Sequence, residues 1–185
     1  MTGLDDAIAV LHHDAYLAVV DKPAGLMVHD SALARGETDK EYLAVCRGWP
    51  QAHFEVDHPL DGGPGKPEKK PALTRFTRLA TAELDLPGSG FERSRYALLR
   101  CEPLTGRFRQ IRRHLKHASH HLIGDSSHGD GRHNRNFRML GVHRMLLHAR
   151  RLGFSHPASG DAMQVVAPVD AQWRTVQTRF DWALD

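Results

Sequence analysis

The run from Thr105 to Asp130, TGRFRQIRRHLKHASHHLIGDSSHGD, constrains the fold more than any other stretch. Phe108, Ile111, Leu115 and Ala118 recur at helical spacing. They predict a helix with one apolar stripe, opened by a turn or cap at Thr105 and Gly106 and followed by a short extended segment. At 100° per residue Arg109, Arg113, Lys116 and His117 fall on the far side. Arg112 falls at the border of the stripe, half-buried. A guanidinium keeps its charge, so there it needs a carboxylate, a phosphate or carbonyl oxygens in front of it. A structural ion pair is the plainer reading of Arg112. The exposed arginines and Lys116 can each neutralise a phosphate, which makes an anionic polymer the natural partner.

A chain of 185 residues can bury a sizeable core without staples, and is read as a single domain spanning 1–185. The net charge of +3 is mild, but Arg and His concentrate between Arg93 and Arg151. Fourteen histidines would raise that positive charge in mild acid, so nucleic-acid binding should tighten there. Cys46 and Cys101 lie in apolar runs and read as core thiols. The sequence shows no signal-peptide pattern and no apolar run of membrane-spanning length, so a cytoplasmic protein without membrane association is expected.

In chain order, Ile8 to Asp21 reads as a hairpin split by the polar HHDA. Pro23 and Gly25 force a turn before a short strand at Leu26 to His29. Lys40 to Trp49 alternates as a half-buried strand. The segment 56–73, VDHPLDGGPGKPEKKPAL, keeps no apolar period and reads as an exposed loop, with Lys66, Lys69 and Lys70 as solvated charges or contacts to a nucleic-acid backbone. Ala72 to Leu84 and Arg95 to Glu102 read as strands joined by LPGSG. A basic helix is expected in RHNRNFRML, then a hairpin around Pro157 and Gly160 closing with a strand from Ala162 to Ala167. An amphipathic helix from Asp170 to Trp182 should pack on the sheet through Trp173, Val176 and Phe180.

Four segments then stand in one order. They are Lys22-Pro23-Ala24-Gly25 with Val28-His29, the Lys40/Tyr42/Ala44 strand, Gly106-Arg107 with Gln110-Ile111-Arg112 and His114, and Met145-Leu146-Leu147-His148-Ala149 with His156-Pro157-Ala158-Ser159-Gly160. This series resembles RNA pseudouridine synthases of the RluA type, including their G-R-x-x-Q-I/L-R-x-H motif, and HLIGDSSHGD is most similar to the tRNA-modifying branch. The resemblance runs from about Val10 to Trp182. It implies an α+β fold, a mixed and mainly antiparallel sheet with flanking helices and a basic cleft. It also implies isomerisation of uridine to pseudouridine in structured RNA, tRNA first, without a cofactor. Tyr42 would lie against the target base and Arg112 would orient the catalytic aspartate. Arg107, Arg109, Gln110, Arg113, His114 and Lys116 would contact RNA.

The family's H-R-L-D-x-x-T/S-S/T-G signature, which carries the catalytic aspartate, is absent from this sequence. Only DSALARGETD separates His29 from Lys40, too short for the strand, loop and helix the family places there, so part of the catalytic half is missing. Asp30, Asp39 and Asp57 are the weak substitutes. Without a carboxylate, stacking and phosphate contacts bind ground and transition states alike and do not speed the chemistry. Two readings result: an isomerase with a substitute acid, or an RNA-binding member without turnover. The gap should also leave an apolar surface or an open strand edge that self-association could cover. His114, His117, His120 and His121 crowd together, but no acid or cysteine follows at ligand spacing, so no metal is expected.

Overall fold

The computed structural model describes residues 8–22, 38–86 and 92–183. The predicted strand at Leu26 to His29, the LPGSG turn from residue 87 onward and Asp30 lie outside them.

The opening hairpin pairs β1 (Ala9–His13) with β2 (Ala18–Asp21). Asp14 closes its turn by accepting from the Tyr16 and Leu17 N–H groups. The strand read from the alternation at Lys40 is β3 (Asp39–Arg47). With β4 (His53–Asp57), β7 (Leu73–Leu84), β8 (Ser94–Pro103), β9 (Leu147–Ser155) and β10 (Ala162–Val166) it forms a six-stranded antiparallel sheet in the order β10-β9-β3-β8-β7-β4.

Both faces of this sheet are covered, which explains why β3 and β8 read as near-continuous apolar runs. Successive side chains leave opposite faces of a strand. Leu43, Val45, Tyr96 and Leu98 therefore meet α2 (Gly131–Met139) and α3 (Ala171–Phe180) around Phe137, Trp173 and Val176. Ala44, Cys46, Ala97, Leu99 and Cys101 point the other way, onto Ile111 and Leu115 of α1 (Gln110–His117). Asp130 and Asp170 cap α2 and α3 by accepting from the Arg132 and Trp173 N–H groups.

After α1 the chain crosses from one face to the other along the end of β3. Leu122 bridges Cys46, the Ile123 N–H donates to the Val45 carbonyl, and these two side chains enter opposite cores. This crossing delivers residues 124–130 beside α1.

Three local expectations are corrected. The segment 56–73 is not a featureless exposed loop: β5 (Leu60–Asp61) pairs with β6 (Lys69–Lys70), and Leu60 and Ala72 are buried. Phe108 is not in the buried stripe. The helix begins later, behind Arg109 in the left-handed region at φ 52°, and Phe108 stays exposed. Nor does Thr105 cap a helix N–H, because its hydroxyl donates to the Gln110 side chain.

Candidate functional site

Helix α1 is anchored by its polar residues as much as by its apolar ones. Gln110 makes four hydrogen bonds, a complete set for an amide side chain. Its Oε1 accepts from the Thr105 hydroxyl and the Arg107 N–H, and its Nε2 donates to the Leu73 carbonyl and Thr74 Oγ1. His114 is fully buried, with Nδ1 2.9 Å from Thr74 Oγ1 and Nε2 3.1 Å from the His58 carbonyl oxygen. Gln110 and His114, expected to face RNA, are thus interior braces. Arg113, expected on the exposed face, donates to the Asp61 carboxylate at 2.6 Å and to the Asp61 carbonyl, and so latches the β5–β6 hairpin to the helix. Arg107 donates to the Pro71 carbonyl.

Arg112 meets its anion inside the chain. Its Nε and Nη2 each donate at 2.7 Å to the two oxygens of Asp125, a two-pronged pair. Oδ1 of Asp125 also accepts from the Ser127 and His128 N–H groups. The Asp125 side chain has no exposed surface, while 16% of Arg112 remains accessible. Burial would raise the Asp125 carboxyl, but the Arg112 and backbone donors outweigh it and hold the group below the ordinary carboxylate range. Enclosed and holding four donors, Asp125 is an anchor for Arg112 and is not placed to attack or deprotonate a substrate. Asn134 holds the loop from below, donating to the Asp125 carbonyl and accepting from the Gly124 N–H.

What remains outward on α1 is cationic. Arg109 lies over the exposed Phe108 ring, 4.8 Å from its centroid, and Lys116 and His117 extend from the same helix. His128 is held below the ordinary imidazole value by burial, against the pull of Asp125, and then by Arg112, Lys116 and Arg109. Those three cations therefore share one field beside the Arg112–Asp125 pair.

Tyr42 sits in β3 between Cys101 and Ala149, half-buried against the core beneath α1, and burial pushes its hydroxyl above the ordinary value. The substitute acids that the structure describes do not reach Arg112. Asp39 receives Arg151 at 2.8 Å, and Asp57 is exposed on β4 opposite Leu73. The crowded histidines turn to separate partners: His114 to Thr74 and His58, His117 onto the His58 ring, His120 to the Arg47 carbonyl and His121 to the His128 carbonyl. Sequence reasoning missed Asp125, Asp61 and Thr74. For Asp125 a signal existed: a half-buried arginine needed an oxygen partner, a carboxylate among the options, and this is the first acid downstream of it.

Burial pushes His114, His133 and His148 below the ordinary imidazole value. The unfolded chain therefore takes up these protons first. Their contribution to stability is complete above the unfolded value near 6.5 and is lost as pH falls below it toward the folded values. Thermal unfolding followed by circular dichroism should show a lower Tm at pH 5.5 than at pH 7.5; an unchanged or higher Tm would contradict this account.

Comparison with known proteins gives this arrangement its class. The RNA pseudouridylate synthase family profile matches residues 30–117. The chain is 32% identical to tRNA pseudouridine synthase C of Salmonella typhi, over 95% of this chain and 90% of that protein. It is 30% identical to the protein of the same name from Vibrio parahaemolyticus, over 95% and 96%. The chain belongs to the RNA pseudouridine synthase family. The Vibrio alignment runs over 235 positions, against 185 residues here, so at least 50 of its positions have no counterpart in this chain. Among solved structures, Human RNA Pseudouridylate Synthase Domain Containing 1 shares the α+β fold with a TM-score of 0.67 at 20% identity, over 91% of this chain and 86% of that one. Domain Containing 4 gives 0.67 at 19%, over 92% of each.

Proposed function

We propose that the RNA is a tRNA, held on the outward cations of α1 with Arg112 and Tyr42 at the uridine, and that the chain isomerises that uridine to pseudouridine as its family does. The observation that carries this reading is the gathering of Arg109, Arg112 and Lys116 on one face of a family member; the second reading, binding without isomerisation, is favoured by the enclosed Asp125. Arg112 is set to steady a carboxylate, but the one it steadies has no exposed surface and already accepts from four donors. Breaking the C1′–N1 bond needs a carboxylate at the sugar, and binding alone does not lower that barrier. Turnover therefore needs another acid; the candidates are Asp30, Asp39 and Asp57, of which Asp39 is engaged with Arg151.

A mass-shift or tritium-release assay on tRNA decides between them. Product that is lost on Asp30→Asn is the expected result; no product, together with salt-dependent binding, would establish the binding-only reading. Arg109→Ala and Lys116→Ala should each lower the slope of log affinity against log salt by about 1, because each side chain neutralises one phosphate. Unchanged slopes would remove α1 from the interface.

The β1–β2 hairpin exposes Val10, Tyr16 and Val20, and we include self-association through this face in the proposal. Light scattering should show a concentration-dependent rise in mass that Tyr16→Glu abolishes. A monomer at all concentrations would reject it.

A further inference from the structure

We infer that the stacked imidazoles of His58 and His117 form a second phosphate-binding point for RNA, apart from the Arg112 centre and strengthened by acid. The inference rests on the RNA reading above. His58 stands on the turn between β4 and β5, and His117 is the last residue of α1; their rings are 4.0 Å apart and 18° from parallel. Both are carried on fixed backbone. His114 bonds the His58 carbonyl, and Arg113 grips Asp61 on the next strand, so the turn cannot slide along the helix.

The surroundings are cationic. Desolvation, then His117, Lys69 and Arg113, oppose a proton on His58. On α1 the neighbours are Arg113, His114 and the exposed Lys116. On β6 the neighbour is Lys69, on β5 Asp61 is engaged with Arg113, and on β4 Asp57 is exposed beside His58 in sequence. Two face-to-face imidazoles pack well while neutral. Once protonated they repel each other and the adjoining Lys69 and Arg113, and among the described residues no carboxylate forms an ion pair with either ring. An external phosphate supplies the missing charge and lets the pair keep its protons. Binding is therefore coupled to proton uptake and tightens as pH falls. The buried His114, His133 and His148 each commit a ring nitrogen to an internal partner, whereas His117 is exposed beside His58.

Two experiments test the site. The affinity of the full chain for tRNA is measured at pH 7.5 and pH 6, with circular dichroism confirming the fold at both, for the natural protein and for His58→Asn/His117→Asn. The natural protein should gain roughly 3- to 10-fold on acidification, as added phosphate contacts do, and the double variant should lose most of that gain. Equal gains in both proteins overturn the inference while leaving tRNA binding intact. Separately, inorganic pyrophosphate at pH 6, followed by ring-proton NMR, reads the site without RNA. Movement of the His58 and His117 signals, with His133 as the unmoved reference, supports it; unmoved His58 and His117 overturn it. A chain that binds no tRNA at either pH overturns the tRNA reading and the RNA role of this pair together.

Discussion

Replacing Arg112 with alanine should lower the free energy of unfolding by about 3–5 kcal/mol, because it leaves a buried carboxylate without its counter-charge. Asp125 has no exposed side-chain surface and takes two of its four hydrogen bonds from that guanidinium. The remaining Ser127 and His128 N–H groups cannot replace the charge. Urea titration of Arg112→Ala, Asp125→Asn and the double variant measures the coupling directly. The double variant should lose much less than the sum of the two singles, since each alone strands a partner. A loss below about 1 kcal/mol for Arg112→Ala would mean that the pair is solvated and weak. The consequence for function is practical. An Arg112 variant that fails to bind or modify RNA shows nothing about chemistry until its fold has been verified.

Gly124→Ala should be nearly as damaging, for a steric reason. Gly124 has φ +79°, and a Cβ there would lie 2.1 Å from the Arg144 carbonyl oxygen and 2.6 Å from the Met145 Cα. These are backbone atoms leading into β9, so neither can swing aside as a flexible side chain would. Left-handed strain of about 1 kcal/mol adds to overpacking of about 1–3 kcal/mol. Gly141 is the matched control: its φ is +83°, it follows the end of α2, and a methyl group there would meet nothing within 4 Å. Gly141→Ala should cost about 1 kcal/mol, the strain alone. Equal losses in the two variants, measured by thermal unfolding, would show that the close approach at Gly124 relaxes freely. A larger loss at Gly124 would also disturb Asp125, the next residue, and through it the setting of Arg112.

The sequence by itself determined the strands with regular alternation, the apolar stripe at Ile111 and Leu115, the terminal helix on Trp173 and Val176, and the order of motifs that marks the family. It also set Arg112 at the border of the core, in need of a carboxylate, a phosphate or carbonyl oxygens. These are properties of neighbouring residues, and periodicity records them directly. Tertiary structure alone decided which polar groups are interior. Gln110 and His114 have the same composition signal as Arg109 and Lys116, yet they are buried because Thr74, 36 and 40 residues away, and the His58 carbonyl, 56 away, complete their hydrogen bonds. Arg113 is latched by Asp61 across 52 residues. A polar side chain goes inside when its partners are waiting there, and those partners lie beyond the reach of any local pattern.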